Sequence, residues 1–177
     1  MAFFKDELKK IRAFIFDVDG VLSHQAQNLT PEGELIRTSC TKDGYAIMYS
    51  IRKGYIVAVI SGGGAPGVQE RLEKLGVKRE DIYLKVANKV EVLEEIIQRY
   101  SLNKEEIMYM GDDIPDYNIM TQVGLPVCPL DACEEIKSIA RYISDVIGGE
   151  GCVRDVMAQV LKARGDWMDT SCYVRSM

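Results

Sequence analysis

Ala13-Phe14-Ile15-Phe16 is an unbroken apolar run that stops at Asp17, and residues 55–60 form a second that stops at Ser61-Gly62. Ile82-Tyr83-Leu84 and Ile107-Met108-Tyr109-Met110 repeat the form, the last ending at Gly111-Asp112. Short continuous runs of this kind suit strands buried on both faces of a parallel sheet. Between them the period changes. Val68, Leu72 and Leu75 fall at helical spacing before Gly76, and Val90, Leu93, Ile96, Ile97 and Tyr100 make a second apolar helical face. Pro115 suits the first turn of a short helix running through Ile119 and Met120. Strands alternating with helices need parallel crossovers, so the expected fold class is α/β, a doubly wound, mainly parallel sheet. Ligands of such sheets bind beyond the carboxyl ends of the strands.

Residues 22–41 break this rhythm. Leu29, the turn Pro31-Glu32-Gly33 and the stretch 34–41 predict a β-hairpin projecting from the loop after the first strand. A helix resumes at Asp43-Gly44-Tyr45, with Asp43 or Thr41 as its expected cap.

Composition narrows the classes. At 177 residues, 47% hydrophobic and 28% charged, residues 1–177 read as one domain with a real core. The longest apolar stretches are strand-sized, far short of the roughly 20 residues of a membrane span. The start, Met1-Ala2-Phe3-Phe4-Lys5-Asp6-Glu7, turns charged at once and lacks a leader pattern, which predicts a cytoplasmic protein. Cys40, Cys128, Cys133, Cys152 and Cys172 are odd in number and irregularly spaced, so free thiols are expected rather than a disulfide framework or a zinc site. His24 is the only histidine, which disfavours a Ser-His-Asp triad or a multi-histidine metal site. The net charge of −5 argues against a nucleic-acid partner.

The chemistry sits where polar residues follow the apolar runs. Asp17 and Asp19, Ser61, and Asp112, Asp113 and Asp116 all fall just past predicted strand ends and should converge on one crevice. Carboxylates forced together raise one another's pKa unless a cation neutralises them. Oxygen donors without His or Cys favour a hard ion, and Mg²⁺ is the expected cofactor. An ordinary capping role at helix starts fits Asp116 and Asp113 but does not account for the whole set. A magnesium site with a spare carboxylate suggests phosphoryl transfer, in which an aspartate can form an aspartyl phosphate. Lys89, after the strand at 82–84 and near a helix start, is placed to bind phosphate oxygens; as a bland alternative it is an exposed helix-start lysine.

Asp17-Val18-Asp19-Gly20-Val21, Ser61-Gly62, Lys89 and the stretch 111–116 together resemble the four ordered motifs of the haloacid dehalogenase superfamily of phosphatases. The resemblance covers nearly the whole chain. It implies Asp17 as nucleophile and Asp19 as the general acid/base. It implies Ser61, Gly62 and Lys89 as holders of the transferring phosphoryl group. Asp17, the Asp19 backbone carbonyl and Asp112 would bind Mg²⁺, with Asp113 and Asp116 supporting them. Period-two spacing sends Asp17 and Asp19 to one side of the strand end.

A cap domain over such a site needs on the order of 50 residues or more. The intervals between Asp19 and Asp43 and between Ser61 and Lys89 hold only a hairpin, or a helix and a strand, so a capless enzyme is expected. The hairpin, the stretch 41–45 and the segment 148–155 resemble the capless phosphatases of 3-deoxy-D-manno-octulosonate 8-phosphate, which implies a homotetramer assembled through hairpins, with sites completed by neighbouring subunits. That resemblance makes Arg71 a candidate for a sugar-acid carboxylate, beside Lys74 three residues on and with Asp43 as a further substrate-site candidate; surface ion pairing with Glu70 or Glu73 is the bland alternative for Arg71. Ser61-Gly62-Gly63-Gly64 departs from the commoner Thr-Gly-Arg beginning. Lys74 keeps half of a Glu–Lys pair seen in enzymes of nine-carbon sugar acid 9-phosphates, so both substrates stay open. The carboxyl tail, 165–177, with Trp167, Met168 and Tyr173, is expected to reach a neighbour's site. A non-catalytic oligomerisation module could lose Asp19 or Lys89, and a receiver-like phosphate store has no need of Asp19.

Overall fold

The structure is a computed structural model and describes residues 2–64 and 66–168. Six parallel strands form its sheet in the order β5-β4-β1-β6-β7-β8: β1 (Ala13–Phe16), β4 (Ile56–Ile60), β5 (Ile82–Tyr83), β6 (Ile107–Met110), β7 (Leu125–Cys128) and β8 (Tyr142–Ile143). β1 is central, paired in register with β4 through Ala13↔Ile56 and with β6 through Ala13↔Ile107. The chain steps from β1 to one side through β4 and β5, then returns to the other side at β6. The crevice at the carboxyl ends of β1, β4 and β6 is therefore a topological switch point.

Alternation along the strands sorts the core into two layers, since successive side chains face opposite sides. Phe14, Phe16, Val57, Val59, Met108 and Met110 pack on one face, against α2 (Thr41–Arg52) and α7 (Cys152–Arg164), with α1 (Ala2–Lys10) and α3 (Pro66–Lys74) on that side. Ala13, Ile15, Ala58, Ile60, Ile107 and Tyr109 face the other layer, built by α4 (Lys89–Tyr100), α5 (Tyr117–Met120) and α6 (Glu134–Ile139). This is the expected doubly wound α/β fold, and among the described residues there is no cap domain. No helix among the described residues is long and apolar enough to cross a membrane.

Several local expectations change. The projecting hairpin reduces to two residue pairs, β2 (Asn28–Leu29) antiparallel to β3 (Leu35–Ile36), with the rest of 24–40 in neither helix nor strand. Neither Thr41 nor Asp43 caps α2; Cys40 holds that position without a side-chain capping bond, and Asp43 is buried. The helix expected from Pro115 divides into a 3₁₀ turn at Ile114–Asp116 and the single turn of α5. Cys40, Cys128, Cys133 and Cys152 are free thiols. Trp167 packs edge-on against Tyr49 at 5.4 Å and under Arg154 at 4.6 Å, on its own chain rather than away from it; Tyr173 lies outside the described residues.

Candidate active site

Asp17 is the first residue past β1, and its N–H donates to the Met110 carbonyl as if the ladder continued one step. This ties Asp17 to the end of β6, where Asp112 and Asp116 follow. Asp17, Asp112 and Asp116 are all buried, and each offers a carboxylate oxygen within 4.8 Å of the others. The turn between Asp17 and the hairpin needs glycine: Gly20 sits at φ +88°, and a Cβ there would lie 2.0 Å from Asp112 Oδ2.

Lys89 opens α4, whose start is capped by Asn88 accepting from the Val90 N–H at 3.1 Å. The helix start aims a buried ammonium into the cluster. It donates to Asp17 Oδ1 at 2.8 Å and to Asp116 Oδ1 at 2.7 Å. The Tyr109 hydroxyl donates to the same Asp116 oxygen at 2.6 Å, while Asp116 Oδ2 accepts from the Asp112 N–H at 3.1 Å. Burial pushes Asp17 up to about 6, aided by Asp116 and opposed by Lys89. Asp112, lacking the lysine, is pushed up to about 8 by burial and by the Asp17, Asp116 and Asp113 carboxylates. For Lys89 the burial that would lower its pKa is outweighed by Asp17 and Asp116, so it stays charged.

When all three buried carboxylates are ionised, the one ammonium leaves two negative charges to be balanced. An all-oxygen donor set with that deficit fits a hard divalent cation. Mg²⁺ is the cofactor these residues suit. The geometric triad contains Asp116, where the sequence pattern grouped Asp17 and Asp112 with Asp19; Asp113 is exposed at the rim.

Asp19 stands apart from the triad, about one-third exposed at the mouth of the crevice. The Arg37 guanidinium grips it with Nε at 2.7 Å and Nη2 at 2.8 Å, and the Gln27 amide adds a bond at 2.7 Å. Burial would raise its pKa, but Arg37 and Gln27 outweigh that and hold Asp19 below the usual carboxylate range. Ser61, buried at the end of β4, accepts from the Gly63 N–H at 3.1 Å. Asp17, Asp19, Ser61, Gly62, Lys89 and Asp112 line one crevice of about 750 Å³.

The other substrate-site candidates lie elsewhere. Asp43 is buried under the start of α7, where its Oδ1 accepts from the Arg154 N–H at 2.6 Å, and burial pushes it up to about 6. Arg71 is exposed on α3 beside Gly44, and with Asp43 it lines a second cavity adjoining the crevice. Lys74 points to solvent and pairs with Glu70 at 2.7 Å. Four participants carry no sequence signal of their own: Arg37, Gln27, Gln25, whose amide donates to Asp112 Oδ2 at 3.1 Å, and Tyr109. The three from the hairpin lie in a stretch without periodicity, and Tyr109 reads as one more strand hydrophobe.

Residues 68–154 match the model of the haloacid dehalogenase-like hydrolases. The 3-deoxy-D-manno-octulosonate 8-phosphate phosphatase of Salmonella typhi is 33% identical over 157 residues, 89% of this chain and 82% of that protein. The chain is a haloacid dehalogenase-like hydrolase. Among solved structures, the phosphatase of the same name from Yersinia pestis superposes with a TM-score of 0.89 at 31% identity, covering 93% of this chain and 88% of that one. The Moraxella catarrhalis phosphatase, solved with a magnesium ion, a phosphate ion and a KDO molecule, gives 0.91 at 26% identity and covers 99% of each chain.

Proposed function

We propose that the protein is a Mg²⁺-dependent phosphatase that hydrolyses 3-deoxy-D-manno-octulosonate 8-phosphate to the free sugar acid and phosphate, a step in lipopolysaccharide precursor synthesis. The observation that carries the reading is the buried Asp17 carboxylate, fixed by Lys89 at 2.8 Å inside an acidic triad, with Asp19 at the open side of the same crevice. An Asp17 oxygen attacks phosphorus, the ester P–O bond breaks, and the leaving oxygen takes a proton from Asp19. Asp19 then removes a proton from water, which attacks the aspartyl phosphate and frees Asp17 and phosphate. Ser61, the Gly62 backbone and Lys89 hold the phosphoryl oxygens between these steps. Asp17, the Asp19 carbonyl and Asp112 would hold Mg²⁺, with Asp113 and Asp116 in support; bound there, it offsets the charge of the transferring group.

The sugar acid itself is supported by the relatives' substrate and by a second cavity, adjoining the crevice, that is lined by Arg71 and Asp43. Leu29, Leu35 and Ile36 are exposed on the hairpin, which suits a homotetramer built through it, with each site closed by a neighbour. The same reading places the enzyme in the cytoplasm, where free thiols persist.

Assaying a panel of sugar phosphates with and without Mg²⁺ tests the proposal, with a nine-carbon sugar acid 9-phosphate as competitor. Preference for the eight-carbon ester is expected; higher catalytic efficiency on the nine-carbon ester would reassign the substrate while keeping the chemistry. Light scattering tests the assembly, and a monomer at working concentration removes the hairpin interface.

A further inference from the structure

Gly63 and Gly64 leave a bare stretch of backbone at the wall between the crevice and the second cavity, and two cations from elsewhere in the chain occupy the space above it. A Cβ on Gly63 would lie 2.9 Å from Arg37 Nη2, 3.2 Å from Asp19 Oδ2 and 3.5 Å from Ser61 Oγ. A Cβ on Gly64 would lie 2.5 Å from Lys85 Cε and 3.0 Å from its Cγ. Lys85 reaches this place at a cost: it adopts φ +59°, the left-handed region that L side chains other than Asn and Asp seldom visit. Its N–H donates to the Gly63 carbonyl at 3.0 Å, and Val86 N–H to Ser61 at 3.0 Å, which locks the cation's loop to the glycines.

The two side chains differ in their partners. Arg37 spends one edge of its guanidinium on Asp19. Among the described residues no hydrogen bond or ion pair holds the Lys85 ammonium. Both residues line the second cavity, of about 1120 Å³, where Glu34 and Asp43 are the acidic members and Asp43 is already committed to the start of α7. The fork that grips Asp19 is shaped for any carboxylate.

We propose that Arg37 and Lys85, seated over Gly63–Gly64, form a carboxylate-recognition pair that selects phosphomonoesters whose leaving group carries a second anion. Arg37 exchanges the Asp19 carboxylate for that of the substrate and so turns Asp19 free toward the leaving oxygen. This rests on the phosphatase reading above and extends it to two residues outside the reacting centre.

The test compares 3-deoxy-D-manno-octulosonate 8-phosphate with an uncharged-sugar ester, a hexose 6-phosphate, in wild type, Lys85→Gly, Arg37→Gln and Arg37→Lys. Lys85→Gly relieves the left-handed strain, so its fold should persist. Lys85→Gly and Arg37→Gln should each lower selectivity for the sugar-acid ester about tenfold, mainly through KM, the scale of one charge-assisted hydrogen bond. Arg37→Lys should recover part of that loss. Equal losses on both esters, or none, overturn the pair. If wild type turns over neither ester, the phosphatase reading fails, and calorimetry with the free sugar acid against a hexose still decides the pair. Preferential binding of the acid that Lys85→Gly abolishes supports it, and equal binding overturns it.

Discussion

The site has two halves of different make. The sheet-borne half, Asp17, Lys89, Asp112 and Asp116, is buried, hangs on strand ends and one helix start, and has its charges interlocked through Lys89 and Tyr109. The hairpin-borne half, Gln25, Gln27 and Arg37, reaches the same crevice from a segment with two residue pairs of regular structure. Groups that must hold reacting atoms to a fraction of an ångström sit on rigid elements. Arg37, which in the proposal above lets Asp19 go, sits on a short hairpin. Asp19 belongs to both, being placed by the sheet and gripped by the hairpin.

The largest expected effect lies wholly in the first half. Asp17→Asn keeps the shape of the side chain but removes the carboxylate oxygen proposed as the nucleophile, and phosphate release should fall by about 10⁴-fold or more. Activity equal to wild type would end the proposed mechanism. Next comes Lys89→Met, which leaves Asp17 and Asp116 buried without their cation. Urea unfolding in the absence of Mg²⁺ should show a loss of about 3 kcal/mol. Arg37→Gln breaks an ion pair whose carboxylate is one-third exposed, so its stability cost should stay below about 1 kcal/mol. Equal stability losses for Lys89→Met and Arg37→Gln would erase the distinction between the halves.

The acidic triad also ties stability to pH. Asp17 and Asp112 are raised to about 6 and about 8 in the fold, against 3.8 for an ordinary aspartate. The native state therefore holds more protons than the unfolded chain, and stability falls as pH rises across that interval. Without Mg²⁺ the thermal midpoint should drop between pH 5 and pH 8, about the window those values span. Mg²⁺ binds the ionised carboxylates, so the midpoint increase it produces should be larger at pH 8 than at pH 5, by calorimetry in matched buffers. A midpoint increase that does not change with pH would show that the triad is not the cation's site.

The two halves also differ in how far the chain announces them. Asp17, Ser61 and the 111–116 cluster each follow directly on an unbroken apolar run, so their convergence at the sheet's carboxyl edge was readable from pattern and topology alone. Arg37 was not, because its partner is 18 residues away across an aperiodic stretch. In the fold, β7 carries Pro126 inside it and β8 is Tyr142-Ile143 alone between Arg141 and Ser144, so neither shows the run that marked the other strands. Asp43 misled for a related reason. It stands where an N-cap is expected, but the helix it serves, α7, begins more than a hundred residues later.

That last contact gives a smaller effect that bears only on the frame. Asp43 Oδ1 satisfies one of the otherwise unpaired N–H groups at the start of α7, and Asp43→Ala should cost about 1 to 2 kcal/mol in urea unfolding. A loss well below that would mean that water replaces the carboxylate under α7.

A subtler effect separates positioning from packing within the buried half. Tyr109→Phe keeps the ring in its layer and deletes only the hydroxyl that donates to Asp116 at 2.6 Å. Asp116 retains Lys89 and the Asp112 N–H, so the stability loss should be about 1 kcal/mol. The functional consequence is geometric: with one of its three hydrogen bonds gone, Asp116 can rotate, and Lys89, which shares the same oxygen, loses a fixed anchor opposite Asp17. Looser placement of the ammonium should lower kcat more than it raises KM, because in the proposed mechanism Lys89 acts on the phosphoryl group as charge shifts between Asp17 and the leaving oxygen. An unchanged kcat with intact Lys89 would show that the ammonium is held by the carboxylates alone.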